Sequence, residues 1–135
     1  MTVKVTEEKI PINVYRQLRV DAGLSPKTEH AASIGLANTL YSVVTKNGHF
    51  EYIGMARVIG DGGCFCQIVD ICVLPAYQGQ GIAKMMMELI KAYIEEHLPE
   101  SCYVSLIADG SADKLYQQFG FADTMPQSKG MFLKR

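Results

Sequence analysis

Cys64 to Leu74 is an almost continuous apolar run, broken only by Gln67 and Asp70. Such a run reads as a central strand covered on both faces. Pro75 ends it, Tyr77 to Gly81 forms a glycine-rich turn, and a helical pattern then runs from about Gly81 to His97, where Leu98-Pro99 stops it. Cys102 to Ala108 is a second apolar strand. Strand, turn, helix and strand in that order close as a right-handed crossover with the two strands parallel, and the rest of the fold must be built around it. On the helix, Ile82, Met85, Met86, Leu89, Ile90, Tyr93 and Ile94 make a broad apolar face, while Lys84, Glu88, Lys91 and Glu95 form an exposed stripe. The methionines read as core filler rather than a binding surface.

Upstream, Ile12, Val14, Leu18 and Val20, with Tyr15 beside them, predict a helix from Pro11 to Ala22, ended by Gly23 and Ser25-Pro26. A second short helix is expected from Thr28, its cap, to Gly35. Leu40 to Thr45 and Tyr52 to Val58 are β-rich and flank Asn47-Gly48, a strong hairpin signal, and Gly60-Asp61-Gly62-Gly63 supplies the next turn. Three antiparallel strands in sequence follow. A short helix from Ser111 to Phe119 and a last strand pair, Phe121 to Thr124 and Met131 to Lys134, complete the reading. The expected fold is α+β: one domain over residues 1–135, with a mixed, mostly antiparallel twisted sheet, helices on both faces and a central β-α-β crossover. Exposed edges at the C-terminal strands are compatible with a homodimer.

At 135 residues, 48% hydrophobic and 20% charged, the chain affords one domain with a real core. A net charge of −1 gives no bulk electrostatic footprint for nucleic acid or an anionic membrane surface. No apolar run reaches the length of a membrane span, and Met1 to Lys9 lacks the apolar core of a signal peptide, so the expectation is a soluble cytoplasmic protein. Cys64, Cys66, Cys72 and Cys102 have no metal or redox spacing and read as buried free thiols, with Cys64 and Cys66 on one face of a strand. His30, His49 and His97 are scattered singly, so no metal is expected.

The turn Gln78-Gly79-Gln80-Gly81-Ile82-Ala83 follows a strand and opens a helix, the context in which unpaired backbone N–H groups and the helix dipole converge on an anion. It is neither a P-loop nor a dinucleotide fingerprint. Taken with Asp70-Ile71-Cys72-Val73-Leu74-Pro75-Ala76-Tyr77 before it and Leu115-Tyr116-Gln117-Gln118-Phe119-Gly120-Phe121 after it, the stretch resembles the GNAT superfamily of acyl-CoA-dependent N-acetyltransferases. The resemblance covers about Ile53 to Phe121. It includes a strand ending in Val-x-Pro, the Gln-x-x-Gly-x-Ala form of the glycine turn, and the Leu-Tyr-x-x-x-Gly-Phe helix end. Many members carry Asn seven residues before the tyrosine, where this chain has Asp109.

The resemblance implies that acetyl-CoA is the cosubstrate, its pyrophosphate on the N–H groups of Gln78, Gly79, Gln80, Gly81, Ile82 and Ala83, with Lys84 adding charge. Main-chain groups of Ile71, Cys72 and Val73 would flank the acyl-pantetheine arm where two strands splay, a feature often set by a bulge. It also makes Tyr116 the acid that protonates the leaving thiolate, and the chemistry a direct attack by a primary amine of a small molecule. Asp70 is the acidic candidate for a base. Strict alternation puts it on the face of Ile68 and Cys72, so a satisfied structural carboxylate is an equal reading. Gln67 sits where some members place a glutamate base, and an amide there can position a water at most. Asn38, Tyr41 and Tyr52 are candidate groups on the acceptor side. Acetylation of a protein or peptide amine, or an acyl-CoA-binding regulatory module with little turnover, are the alternatives.

Overall fold

In the computed structural model, which describes residues 2–135, the elements run β1 (Val3–Glu7), α1 (Ile12–Asp21), α2 (Glu29–Ala37), β2 (Tyr41–Asn47), β3 (Tyr52–Gly60), β4 (Phe65–Val73), a 3-10 turn (Pro75–Tyr77), α3 (Ile82–His97), β5 (Tyr103–Leu106) and α4 (Asp113–Gln117). Met1, the first residue of the expected 1–135 domain, lies outside the described residues. The fold is α+β, with five strands in the order β1-β2-β3-β4-β5. The first four are antiparallel neighbours, and β5 joins parallel to β4 through α3.

Short polar side chains close the hairpins. Asn47 Oδ1 accepts from the N–H groups of His49 and Glu51, and Asp61 Oδ1 accepts from those of Gly63, Cys64 and Phe65. These bonds replace the ladder where the chain reverses. The hydrogen bond from Phe65 and those beside it hold the Asp61 carboxyl below its usual range, against the opposing pull of desolvation.

Helices cover both faces. On one, Ile82, Met86, Met87 and Ile90 of α3 pack on Val43, Ile53, Ala56, Val58, Cys66 and Ile68. On the other, Tyr15, Leu18 and Ala32 of the first two helices meet Val44, Met55 and Cys72. Met86 and Met87 are fully buried, and each such side chain contributes about 1.5–3 kcal/mol.

Four departures from the sequence reading have local causes. Val3 to Glu7 forms an unanticipated edge strand on β2. The second helix passes Gly35 and ends at Ala37, because Arg57 Nη1 and Asn38 Nδ2 satisfy the carbonyls of Gly35 and Ile34 that would otherwise end it. Cys64 stands exposed in the turn before β4, so it does not share a strand face with Cys66. The expected strand pair at 121–124 and 131–134 does not form. The Phe121 N–H turns back to the Tyr116 carbonyl, and Thr124 and Ser128 bond each other across a turn. Met131, Phe132 and Leu133 are left 83–87% exposed and β5 is the outer strand, so the strands on which a homodimer was premised are absent.

Gly60 is the tightest point of the hairpin between β3 and β4. Its φ is +144°, and a Cβ there would lie 2.2 Å from the Phe65 carbonyl oxygen. Gly60→Ala is expected to lower stability by about 2 kcal/mol or more, read as a shift in the urea midpoint. An unchanged midpoint would mean that the hairpin relaxes without cost.

Candidate active site

The strand-to-helix turn is built on two left-handed residues. Gly79 and Gly81 both have φ +79°, and open space lies where a Cβ would project from either. Gly81 caps α3 without a side-chain hydrogen bond, so the first N–H groups of the helix stay available at its positive end. Gln78 Nε2 donates to the Val73 carbonyl at 3.0 Å and ties the turn to the end of β4. Gln80 stands exposed between the glycines.

A bulge shapes the strand before this turn. Met55 pairs with Cys72 but Arg57 pairs with Val69, so Ala56 alone faces both Asp70 and Ile71. Asp70 takes φ +60°, a left-handed conformation shared among described non-glycine residues only with Phe50. The extra residue reverses the alternation: Ile68 belongs to the core under α3, and Cys72 to the core under α1. The expectation that Asp70 shares a face with both is thereby corrected. Beyond the bulge the Leu74 N–H bonds the Ile53 carbonyl, so the main-chain groups of Val73 and Ile71 turn to the opposite edge. Pairing with β5 stops at Ile68, and that edge is open.

The result is a cleft of about 500 Å³ between the turn, the end of β4 and α4. Ile71, Cys72, Val73, Gln78, Gly79, Gly81, Ile82, Ala83 and Lys84 line it, as do Leu24 and Tyr116. A second hollow of about 700 Å³ lies beyond β5, lined by Gln67, Ser105, Asp113 and Asp123 among others, and Tyr116 is common to both. The Tyr116 residue is 8% exposed. Burial, and after it the charge of Asp109, raise its phenol above the ordinary value, so it holds its proton at neutral pH. Burial, then the Asp70 charge, push the Cys72 thiol up to about 12, which leaves it about one part in 10⁵ thiolate at pH 7. Cys72 is a wall of the cleft whose thiol keeps its proton at neutral pH.

Asp70 lies under α1, away from the cleft lining. Arg19 Nη1 donates to Oδ1, and Arg57 Nε and the Tyr15 hydroxyl donate to Oδ2 at 2.8 and 3.1 Å. Its side chain is 5% exposed. Burial and the Asp70 charge raise the Tyr15 phenol, which keeps it a donor. Arg19 and Arg57 were not singled out from the sequence, although Arg57 is a lone cation in an apolar strand. Asn38 caps α2, Tyr41 donates to Glu7 and stacks on Tyr93, and Tyr52 donates to Glu8, so these three candidates serve packing and capping. Among the described residues no group of three or more His, Cys, Asp or Glu is placed to hold a metal ion, and no helix is long and apolar enough to cross a membrane.

A family model described as an acetyltransferase (GNAT) domain matches residues 25–132. GCN5-related N-acetyltransferase 2, chloroplastic, of Arabidopsis thaliana is 38% identical over 83 residues, covering 61% of this chain and 31% of that protein. The matched region thus spans about a third of that relative's length. A crystal structure of a protein of unknown function and probable acetyltransferase from meticillin-resistant Staphylococcus aureus superposes with TM-score 0.92 at 51% identity, covering 99% of this chain and 100% of that one. At 18% identity and TM-score 0.73, a predicted acetyltransferase from Clostridium acetobutylicum, crystallised with acetyl-CoA, shares the fold over 98% of this chain and 96% of that one.

The thiols separate by accessibility. Iodoacetamide at pH 8 is expected to alkylate the exposed Cys64 first and the buried Cys66 and Cys72 last, as peptide mass spectrometry resolves. Early modification of Cys72 would show that its thiol is neither buried nor raised.

Proposed function

Because the chain belongs to the GNAT acetyltransferase family, we propose that it transfers an acetyl group from acetyl-CoA to a primary amine of a small molecule, by direct attack in a ternary complex. The observation that carries this reading is the pair of left-handed glycines at the start of α3, opening onto a cleft whose opposite wall is Tyr116. The pyrophosphate sits on the N–H groups of Gln78 to Ala83, where the helix contributes about half a unit of positive charge, with Lys84 beside it. The pantetheine arm lies along the open edge of Ile71 and Val73, and the Val73 N–H polarises the thioester carbonyl.

The amine approaches from the hollow beyond β5, where Gln67 and Ser105 orient it or its water. Its nitrogen forms the new bond to the carbonyl carbon, the C–S bond breaks, Tyr116 gives its proton to the leaving thiolate, and the proton that the attacking nitrogen sheds on becoming the amide returns through water to the Tyr116 phenolate. Asp70 is a structural carboxylate on this proposal: two guanidinium groups and a phenol already engage it. The cycle asks for no metal and no covalent enzyme intermediate, in keeping with the high thiol pKa of Cys72. One catalytic domain over residues 1–135 and the cytoplasmic setting expected from the sequence belong to the same proposal, and unpaired cysteines suit a reducing compartment.

Calorimetric titration with acetyl-CoA, followed by a thiol-release screen over small amines and amino-terminal peptides, tests the reading. Binding with turnover supports it; binding without turnover favours the regulatory module, and no binding removes the assignment of the turn. Gly81→Glu is expected to abolish acetyl-CoA binding, since the new carboxylate would fill the space the pyrophosphate needs.

Tyr116→Phe should lower kcat by about 10²-fold or more with acetyl-CoA affinity within about threefold. Because the Tyr116 phenol lies above its ordinary value near 10, the wild-type rate should carry no falling limb below pH 9. A rate that keeps rising to pH 9 marks an alkyl amine acceptor, whereas a plateau near pH 8 marks an amino-terminal one. Equal rates for wild type and Tyr116→Phe across that range would remove the tyrosine from the mechanism.

A further inference from the structure

The strain at Asp70 needs an explanation that burial alone does not give. A side-chain-bearing residue with φ +60° sits in the middle of a central strand, at the one point where that strand reverses its facing. The same residue is held from three directions. Arg19 reaches it from the last turn of α1, Arg57 from β3 and Tyr15 from the first half of α1. Both arginines also hold other parts of the chain. Arg19 donates to the Ser25 carbonyl at 2.8 Å and to its hydroxyl at 3.1 Å, while Arg57 donates to the Gly35 carbonyl and to Thr39.

We propose that the buried Arg19, Asp70 and Arg57 cluster is the positioning element of the active site, setting the bulge that presents the Ile71 and Val73 main chain and fixing the loop after α1 against the same cleft. Two members of the cluster end one residue from a cleft wall, since Ile71 follows Asp70 and Leu24 precedes Ser25, while the Arg57 arm ties the end of α2 to the same carboxylate. If stability were all that mattered, well-packed apolar residues would serve as well as a buried ion pair. What an apolar trio cannot do is hold a left-handed residue at a defined point, because dispersion contacts are not directional and charge-assisted hydrogen bonds are. Asp70, Arg19 and Arg57 act through the backbone and touch neither substrate, so they are positioning residues.

This inference rests on the acetyltransferase reading, and the two fail differently. The test compares wild type, Asp70→Ala and Asp70→Asn. Asparagine enters the left-handed region readily and keeps an acceptor oxygen, so it supplies a folded variant where alanine does not. Two ligands are titrated: acetyl-CoA, and 3′-phosphoadenosine 5′-diphosphate, the nucleotide half that meets only the turn. In Asp70→Ala the Kd for acetyl-CoA should rise about tenfold or more while that for the nucleotide half changes by less than about threefold, with Asp70→Asn in between. Hydrogen exchange in the peptide spanning Asp70 to Leu74 should quicken in both variants, with exchange in α3 unchanged.

Equal losses for both ligands would mean a general loss of structure and overturn the proposal. So would wild-type affinity together with wild-type exchange in both variants. Failure of wild type to bind acetyl-CoA would overturn the acetyltransferase reading instead, and the exchange measurement, which needs no ligand, would still decide whether the cluster sets the bulge.

Discussion

A carboxylate buried in the middle of a central strand has to be compensated where it stands, and the layout of this molecule follows from how Asp70 is compensated. Arg57 comes from the neighbouring strand and Arg19 from the helix packed above it, so α1 is fixed over β3 and β4 by charge as well as by Tyr15 and Leu18. The two cations exceed the single anion. The surplus is spread onto the carbonyls of Ser25 and Gly35, the latter in the last turn of α2, where the helix dipole is negative. Removing one partner from such a cluster costs about 3–5 kcal/mol, because the others are left buried and unpaired.

The crossover that builds the opposite core also makes the cleft. β4 has nine residues and β5 four, so the shorter strand leaves the end of the longer one without a partner on that side. An unpaired edge inside a sheet is a liability unless something pairs with it. Here Gln78 takes the Val73 carbonyl, and the remaining donors face a space closed by α4 and by the turn. The crossover therefore supplies the apolar anchor Ile82 to the core, fully buried, and leaves the first amides of α3 without a side-chain cap at the surface.

The crossover, the glycine turn and the helix end at Tyr116 were legible in the sequence because each depends on residues close together in the chain. A proline after an apolar run, glycines at a turn and a 3.6-residue period carry their meaning locally. The cluster was not legible because its three charged members lie in three separate segments. Arg57 between Ala56 and Val58 and Asp70 between Val69 and Ile71 each read alone as an oddity, while Arg19 reads as one of two arginines on a short amphipathic helix. Taken together, Arg57 and Asp70, a lone cation and a lone anion stranded in neighbouring apolar runs, are a signal that they meet, whereas nothing in the sequence distinguishes Arg19 from Arg16. The bulge is non-local in the same way: alternation along β4 gives the wrong face for Asp70 until the register with β3 is known. The C-terminal segment failed for the opposite reason. Its apolar residues favour strands, but the Phe121 N–H is taken by the Tyr116 carbonyl and Thr124 is bonded to Ser128, so local bonds replace the ladder.

Proton accounting bears on the acceptor. Among the described residues, no carboxylate or imidazole lines the cleft beside Val73, and the carboxylates of Asp113 and Asp123 line the hollow beyond β5 instead. On the proposed mechanism the amine must then arrive neutral or lose its proton toward that hollow through water. An alkyl amine with pKa near 10.4 is neutral about one part in a thousand at pH 7.4, a handicap of about 4 kcal/mol, while an amino-terminal group with pKa near 7.8 gives up less than about 1 kcal/mol. On the proposed mechanism, with Tyr116 as the acid and no base beside the thioester, the acceptor of lower pKa reacts faster among otherwise similar primary amines.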